Sequence, residues 1–173
     1  MKFAWRSAYI LSLSIFLFML GCMGPDSRRV QAEASGDLRE SQKFVLSDLQ
    51  GSPLNLSDLL KQKKAVLINF FATWCPPCRE EIPDLIQLQE KLKDRSFTIL
   101  GVDVGESKNK VESFAKKMGI NYPIALDIDM KVSEEYSIVG IPTTFLVSSD
   151  GKVLGKYHAF TPELVSDIEK ALQ

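Results

Sequence analysis

The chain has 173 residues, of which 45% are hydrophobic and 25% are charged, so it is long enough to bury one globular core. Its 21 Lys and Arg nearly balance 22 Asp and Glu, which leaves a net charge of −1. No long basic run is present, and this excludes the charge pattern of a nucleic-acid-binding protein. We therefore expect a single globular domain and no nucleic-acid partner.

The first 21 residues are typical of a secretory signal peptide. Lys2 and Arg6 precede an apolar run over residues 8–20, which is short for a bilayer span. The run ends in "MLGC", which resembles the lipobox of bacterial lipoproteins. The resemblance implies that Cys22 becomes a lipid-bearing N-terminus. There are two alternatives. One is cleavage by an ordinary signal peptidase, and the other is an unmodified Cys22 within an uncleaved anchor.

Residues 22–36 are polar, contain Gly, Pro and Ser, and show no apolar period, so they predict a flexible linker. The folded domain is expected over residues 37–173. Together, signal, lipobox and linker predict an extracytoplasmic domain that is membrane-anchored, either periplasmic or on the outer face of the cytoplasmic membrane. In such a compartment the two cysteines of the domain can persist as a disulfide.

The domain begins with two strand signals. "KFVLSDLQGSPLNL", residues 43–56, predicts a hairpin that turns at Gly51-Ser52, with Ser57 as the N-cap of a short helix. "AVLINFFA", residues 65–72, is a continuous apolar run of the kind found in strands that are buried on both faces. We expect this strand at the centre of the sheet.

Two cysteines, Cys75 and Cys78, follow this strand, and three functions compete for them. A closed zinc or iron site needs about four ligands, and the folded part adds only His158. A structural disulfide that closes so small a loop constrains the unfolded chain very little. Redox exchange needs two nearby sulfurs, one of them activated, and a strand-to-helix junction supplies both. Redox exchange is therefore favoured, with no metal and no cofactor beyond the Cys75–Cys78 disulfide.

The helix that begins at Pro76 assigns different roles to the two sulfurs. Cys75 precedes the helix, where free backbone N–H groups and the helix dipole favour a thiolate, so we expect it to be exposed and to be the attacking nucleophile. Cys78, one turn inside, is expected to be more buried and to resolve the mixed disulfide. Pro77 also lies in the first turn, where proline costs no hydrogen bond, whereas Pro83 predicts a kink.

The rest of the chain alternates strands and helices. Strands are predicted at 97–104 and 122–127, and in a hairpin over 143–160. Helices are predicted at 107–119 and 130–138, and from 161 onward. Ser107 is the candidate N-cap of the first of these helices, and Gly119 is its stop. This order predicts an α/β fold with a central mixed sheet and helices on both faces.

Two motifs, "TWCPPCREEIP" and "GIPTTFLV", and the helix-plus-strand insertion between them resemble the thioredoxin superfamily. Over residues 37–173 the chain is similar to the membrane-anchored, extracytoplasmic thiol-disulfide oxidoreductases of the cytochrome c maturation type. The resemblance implies a thioredoxin-like fold with an N-terminal hairpin extension. It also implies a cis Ile141-Pro142 peptide that packs against the active-site disulfide and guides the substrate. A plain edge-strand proline is the alternative for Pro142.

The same resemblance implies that Glu81 handles protons beside the dithiol. Glu81 lies three residues after Cys78, so the two are neighbours on the helix surface. A solvent-facing glutamate is the alternative, and Glu80 is predicted to be solvated. Trp74 is expected to shield the disulfide, with simple packing as its alternative. Four residues are expected to contact the substrate: Trp74, Pro76, Pro77 and Ile141.

The resemblance implies a monomeric reductant of protein disulfides, for example those of apocytochrome c, that is re-reduced by a membrane electron donor. One alternative is a thiol peroxidase, because the insertion resembles that of peroxiredoxins, although those generally carry a lone peroxidatic cysteine. Another is a copper chaperone with Cys75, Cys78 and His158 as ligands. The direction of electron flow depends on the reduction potential, which the sequence leaves open.

Overall fold

The computed structural model describes residues 40–173. The predicted signal peptide over 1–21, the lipid attachment at Cys22 and the linker over 22–36 lie outside the described residues and stay predictions. Within residues 40–173, no helix has the length and apolar character that a membrane crossing requires.

Seven strands of the described region form one mixed sheet in the order β2-β1-β5-β4-β3-β6-β7. Their bounds are β1 (Val45–Asp48), β2 (Pro53–Asn55), β3 (Ala65–Phe71), β4 (Phe97–Val104), β5 (Ile124–Asp127), β6 (Thr143–Ser148) and β7 (Val153–Tyr157). The pairs β3–β4 and β4–β5 are parallel, and the others are antiparallel. Both predicted hairpins are present. The prediction of β3 at the centre is wrong: β4 is central, because the β1–β2 hairpin extends the sheet beyond β5.

Five helices cover the two faces of this sheet. Their bounds are α1 (Leu56–Gln62), α2 (Pro76–Leu92), α3 (Lys108–Met118), α4 (Lys131–Glu135) and α5 (Pro162–Ala171). Ile68 and Phe70 of β3 pack with residues of α1 and α4. Ala65 and Leu67 pack with residues of α2 and α5, and Phe71 packs with residues of α3. Alternate side chains of one buried strand therefore enter two separate cores, as the continuous apolar run predicts.

The helix ends agree with the sequence except at α4, which covers only Lys131–Glu135 of the predicted 130–138, and at α1. Asn55, not Ser57, is its N-cap, because the Asn55 side chain accepts a hydrogen bond from the Ser57 N–H at 2.9 Å. Thr161 caps α5 in the same way. Ser107 holds the N-cap position of α3 without a side-chain hydrogen bond, and Gly119 ends that helix. Pro83 lies inside α2, and the kink predicted there stays a prediction.

The topology brings four loops together at one edge of the sheet. The parallel strands β3, β4 and β5 all end there, and β6, antiparallel to β3, begins there. The residues that follow β3 include both cysteines of the domain. The loop after β4 contains Glu106, and the loop before β6 contains Pro142. This edge is where residues distant in sequence can form a site.

A buried disulfide as the candidate active site

Cys75 and Cys78 form a disulfide at the N-terminus of α2, with their Cα atoms 5.3 Å apart. Cys75 is the N-cap residue, and its Sγ accepts a hydrogen bond from the Cys78 N–H at 3.3 Å. The Cys75 N–H donates to the carbonyl oxygen of Ala72 at 3.2 Å, which closes a turn over residues 72–75. The structure thus places Cys75 where the helix dipole favours a thiolate, as predicted from sequence.

The predicted exposure of Cys75 is wrong. Cys75 is only 2% exposed and Cys78 is fully buried. Both belong to an apolar cluster that includes Phe71 and, partly buried, Ile141. The Trp74 side chain is itself 63% exposed, and its shielding of the disulfide stays a prediction. The packing interpretation of Trp74 is therefore wrong, and its role in substrate binding stays a prediction.

The Ile141-Pro142 peptide bond is cis, as the resemblance implies. The carbonyl oxygen of Ile141 lies 3.7 Å from Cys75 Sγ, so this loop contacts the disulfide directly. Pro142 is buried and immediately precedes β6, which has β3 on one side and β7 on the other. The alternative of an edge-strand proline is therefore wrong.

Glu81 is buried, with 7% of its surface exposed, so the alternative of a solvent-facing glutamate is wrong. Burial raises the pKa of the Glu81 carboxyl above its usual range, although hydrogen bonds from the Asn69 side chain and the Phe160 backbone oppose the rise. Glu80, its neighbour, is exposed as predicted. The environment of Glu81 thus favours its protonated form more than water does.

Asn69 is a site residue that the sequence analysis missed. Its Nδ2 donates to Glu81 Oε1 at 2.8 Å and to Thr144 Oγ1 at 2.9 Å. Asn69 is 1% exposed and pairs with Thr144 across β3 and β6. The available signal was a single amide within the otherwise apolar run "AVLINFFA", because a buried polar side chain requires hydrogen-bond partners. Asn69 therefore fixes the orientation of the Glu81 carboxyl.

A shallow cavity of about 240 Å³ opens beside these groups. Its lining includes three carboxyl side chains, the second active-site proline, the cis proline and the domain's histidine: Glu80, Glu81, Asp84, Pro77, Pro142 and His158. His158 is exposed, and its Nδ1 lies 3.2 Å from Thr143 Oγ1. Within residues 40–173, no group of three His, Cys, Asp or Glu could hold a metal ion, so the copper-chaperone alternative lacks its ligand set there.

A family model described as the AhpC/TSA family matches residues 39–156. The chain belongs to the AhpC/TSA family. Among curated relatives, the thiol-disulfide oxidoreductase ResA of Bacillus subtilis is 39% identical over 122 residues, which cover 70% of this chain and 67% of that protein. ResA of Geobacillus thermodenitrificans is 42% identical over 110 residues, or 64% of this chain and 62% of that protein.

Solved structures of thioredoxin-type proteins are also similar to this chain. A thiol:disulfide interchange protein of the thioredoxin family from Chlorobium tepidum has a TM-score of 0.67 and 35% identity, and the match covers 78% of this chain and 96% of that one. The thioredoxin domain of a thiol-disulfide oxidoreductase from Bacteroides vulgatus has a TM-score of 0.70 and 29% identity at the same coverage. This AhpC/TSA member is therefore a thioredoxin-like thiol-disulfide oxidoreductase.

The peroxidase alternative loses its support within this family. A lone peroxidatic cysteine is its expected signature, whereas this chain pairs Cys75 with Cys78 in a disulfide at a helix N-terminus. The relatives described above are named for thiol-disulfide chemistry. The paired cysteines are the group that can exchange two electrons with a second disulfide.

Proposed function

We propose that this protein reduces protein disulfides outside the cytoplasm, with Cys75 and Cys78 as its redox pair. One observation carries the proposal: the disulfide lies at the N-terminus of α2, in contact with the cis-proline loop. Such a position lowers the pKa of the first thiol and leaves the second within reach of it. The buried carboxyl of Glu81, one helical turn beyond Cys78, adds a proton-handling group to the same site.

The reaction begins with the reduced dithiol. The Cys75 thiolate attacks one sulfur of the substrate disulfide, a bond forms between the two sulfurs, and the second substrate sulfur leaves as a thiolate that takes a proton. The Cys78 thiol then loses its proton and attacks Cys75 Sγ. The mixed disulfide breaks, and the remaining substrate sulfur leaves and is protonated. Two electrons and two protons reach the substrate, and the Cys75–Cys78 disulfide is formed.

Glu81 is the proposed acceptor for the proton that Cys78 loses. Cys78 is fully buried, so bulk water is a poor acceptor for this proton. A carboxyl whose pKa burial has raised is closer in proton affinity to a thiol than an ordinary glutamate is. Asn69 holds that carboxyl in place through its 2.8 Å hydrogen bond. Glu81 would return the proton when the disulfide is reduced again.

The substrate is proposed to lie over the exposed residues around the disulfide. Trp74, Pro76 and Pro77 are exposed, and the Ile141 carbonyl faces Cys75 Sγ. The relatives' names support a thiol or disulfide of a protein as the substrate class. The proposed example of a substrate is apocytochrome c. The proposed source of electrons is a membrane electron donor. The protein is proposed to act as a membrane-anchored monomer. The lipobox at Cys22 supports the anchoring.

The direction of electron flow is tested by equilibrating the protein with glutathione and measuring the reduction potential of the Cys75–Cys78 pair. We expect a potential well below that of the extracytoplasmic thiol pool, so that the dithiol donates electrons. A potential near that of strong oxidants such as DsbA, about −120 mV, would overturn the assignment as a reductant. The Cys75→Ser variant is the control, since it cannot form the pair.

The substrate class is tested with a peptide that contains an oxidised Cys-x-x-Cys-His segment. Reduced protein should convert it to the dithiol with one equivalent of Cys75–Cys78 disulfide formed per peptide reduced. A matched peptide with the histidine replaced by alanine shows whether the haem-binding histidine contributes. No reduction of either peptide, with normal reduction of small disulfides, would contradict this substrate.

A further inference from the structure

A pair of buried carboxyl groups lies at the same edge of the sheet, outside the mechanism above. Asp103, the second-to-last residue of β4, is fully buried. Glu106, in the loop that follows β4, is 7% exposed. Buried carboxyl groups are costly unless hydrogen bonds or opposite charges compensate them. The contacts of this pair therefore indicate what it stabilises.

Glu106 binds the segment that leads into the first cysteine. Its Oε2 accepts a hydrogen bond from the Thr73 N–H at 2.5 Å, and its Oε1 accepts one from Thr73 Oγ1 at 2.9 Å. Thr73 and Trp74 are the two central residues of the turn that the hydrogen bond from Cys75 N–H to the Ala72 carbonyl closes. The Glu106 carboxylate thus binds both hydrogen-bond donors of Thr73, the backbone N–H and the side-chain hydroxyl, two positions before Cys75.

Asp103 and Lys110 complete the environment of Glu106. Asp103 Oδ1 accepts from the Glu106 N–H at 3.2 Å, and Lys110 forms an ion pair with the Glu106 carboxylate. Burial, with the nearby negative charge of Glu106, raises the pKa of Asp103 to about 8. Burial also acts to raise the pKa of Glu106, but hydrogen bonds from Lys110 and Thr73 outweigh it and lower that pKa. Near neutral pH, Glu106 carries the charge and Asp103 the proton.

We propose that Glu106 is a positioning residue of the dithiol reaction, which holds the Thr73–Trp74 turn and thereby keeps Cys75 at the N-cap of α2. The inference rests on thiol-disulfide exchange at Cys75 but not on the direction of electron flow or on the substrate. The physical link is the Cys75 Sγ, which accepts from the Cys78 N–H only while Cys75 holds the N-cap position. Without Glu106 the buried Thr73 N–H loses its acceptor, and the turn must move to solvate it.

The first measurement is the pH dependence of alkylation at Cys75 in the reduced protein, resolved by the mass of the Cys75 peptide. Both Glu106→Ala and Glu106→Gln remove a negative charge, but only alanine removes the acceptor of the Thr73 N–H, so we expect the Cys75 thiol pKa to be about one unit higher in Glu106→Ala than in Glu106→Gln, with a thiolate fraction at pH 7 lower by up to about tenfold. The rate of exchange with a small aromatic disulfide should fall only about threefold, since a more basic thiolate is the better nucleophile. Glu112→Ala, which removes an exposed carboxylate paired with Lys108 on α3, should leave both unchanged.

The second measurement is a double-mutant cycle between Glu106→Ala and Thr73→Val, read on the Cys75 thiol pKa. Thr73→Val removes the Oγ1 hydrogen bond to Glu106 and keeps the N–H one, so the double variant should change the pKa by less than the sum of the single changes, by the share that the Oγ1 bond carries. Glu106→Gln, which keeps one acceptor oxygen, is the charge-matched comparison, and Glu106→Asp, which keeps the charge but shortens the side chain, serves as the main variant if the alanine variant does not fold and should raise the Cys75 pKa above that of the wild type.

Equal Cys75 pKa values and exchange rates in Glu106→Ala and Glu106→Gln, with a lower stability to urea for the alanine variant, would overturn the proposal, because Glu106 would then support the fold alone. Failure of the proposed reductase function is distinguishable from this result. It would appear as a high reduction potential of the wild-type protein, with the Glu106 effect on Cys75 unchanged.

Discussion

Glu81 and its partner Asn69 show how a single buried contact can set the chemistry of a redox pair. The Asn69 amide holds the Glu81 carboxyl, and burial raises the Glu81 pKa. We predict that Glu81→Gln lowers the apparent pKa of the active-site thiols, because a negative charge that opposes the thiolate is removed. It should also slow turnover with a protein disulfide, because the local proton acceptor is lost.

The measurement is a thiolate titration followed by absorbance, together with the rate of protein disulfide reduction. Glu80→Gln is the matched control, since Glu80 is the adjacent carboxylate and is exposed. Identical titration curves and rates for the wild type and Glu81→Gln would leave the buried carboxyl without a part in proton transfer.

The pKa of Asp103, raised to about 8, predicts how stability changes with pH. Between the ordinary Asp pKa of about 4 and this value, the folded protein holds a proton that the unfolded chain has released. Asp103 therefore makes the free energy of unfolding fall as pH rises through this window, by at most about 1.4 kcal/mol per pH unit. We predict that Asp103→Asn, which cannot ionise, loses stability less steeply than the wild type from pH 5 to 8.

Urea unfolding at each pH measures this difference, and the comparison of two proteins cancels the contributions of other groups. The raised pKa of Glu81 also makes the free energy of unfolding fall as pH rises, but Glu81 is present in both the wild type and Asp103→Asn. Parallel stability curves over pH 5 to 8 would mean that Asp103 is already ionised in the folded state.

The N-terminus of α2 assigns unequal roles to its two cysteines. Cys75 is the N-cap and contacts the cis-proline loop, whereas Cys78 lies one turn inside and is fully buried. We predict that Cys78→Ser accumulates stable mixed disulfides through Cys75, while Cys75→Ser accumulates none. The reason is the N-cap position of Cys75 and not its exposure, which is only 2%.

Non-reducing electrophoresis after exposure to a protein disulfide, with mass mapping of the linked peptide, detects these species. Mixed disulfides through Cys78 in the Cys75→Ser variant would reverse the roles of nucleophile and resolving cysteine.

The C-terminus of α3 depends on one backbone conformation. Gly119 has φ +70° and ψ 34°, in the left-handed region, and its N–H donates to the Ala115 carbonyl. A methyl group at Gly119 would meet no atom within 4 Å, so the cost of alanine there is conformational alone. We predict that Gly119→Ala lowers the free energy of unfolding by about 1 kcal/mol without changing the reduction potential.

Gly140→Ala is the matched control, because that glycine also has open space around it but does not have a positive φ. Its effect on urea unfolding should stay within about 0.5 kcal/mol. Equal losses in the two variants would mean that the left-handed conformation at Gly119 is not the cause.

Membrane attachment is a property of the whole molecule, and the sequence around Cys22 predicts it. We predict that Cys22→Ser yields a soluble exported protein, because lipidation requires that thiol. Fractionation of cells that express the wild type and the variant measures it, with the mass of the mature N-terminus as the second readout. Retention of the variant in the membrane with its signal attached would make the apolar run over residues 8–20 the anchor.

Local patterns alone were enough to predict much of this protein. The apolar run of β3 and the Gly51-Ser52 turn of the first hairpin act over a few positions, and each predicted its element. The Cys75–Cys78 spacing at a strand-to-helix junction likewise predicted the redox pair. Even the cap of α1 is a local feature, and the prediction missed it by two residues because Asn55 and Ser57 are both good N-cap residues.

Only the tertiary structure decided the surroundings of that pair. Asn69 and Glu81 are 12 positions apart, Thr73 and Glu106 are 33 apart, and Cys75 and Ile141 are 66 apart. These contacts exist because three parallel strands end, and a fourth strand begins, at one edge of the sheet. Strand order and register are set by the packing of the whole domain, and no local pattern records which loops will meet. The burial of Cys75 and both buried carboxyl sites follow from that packing.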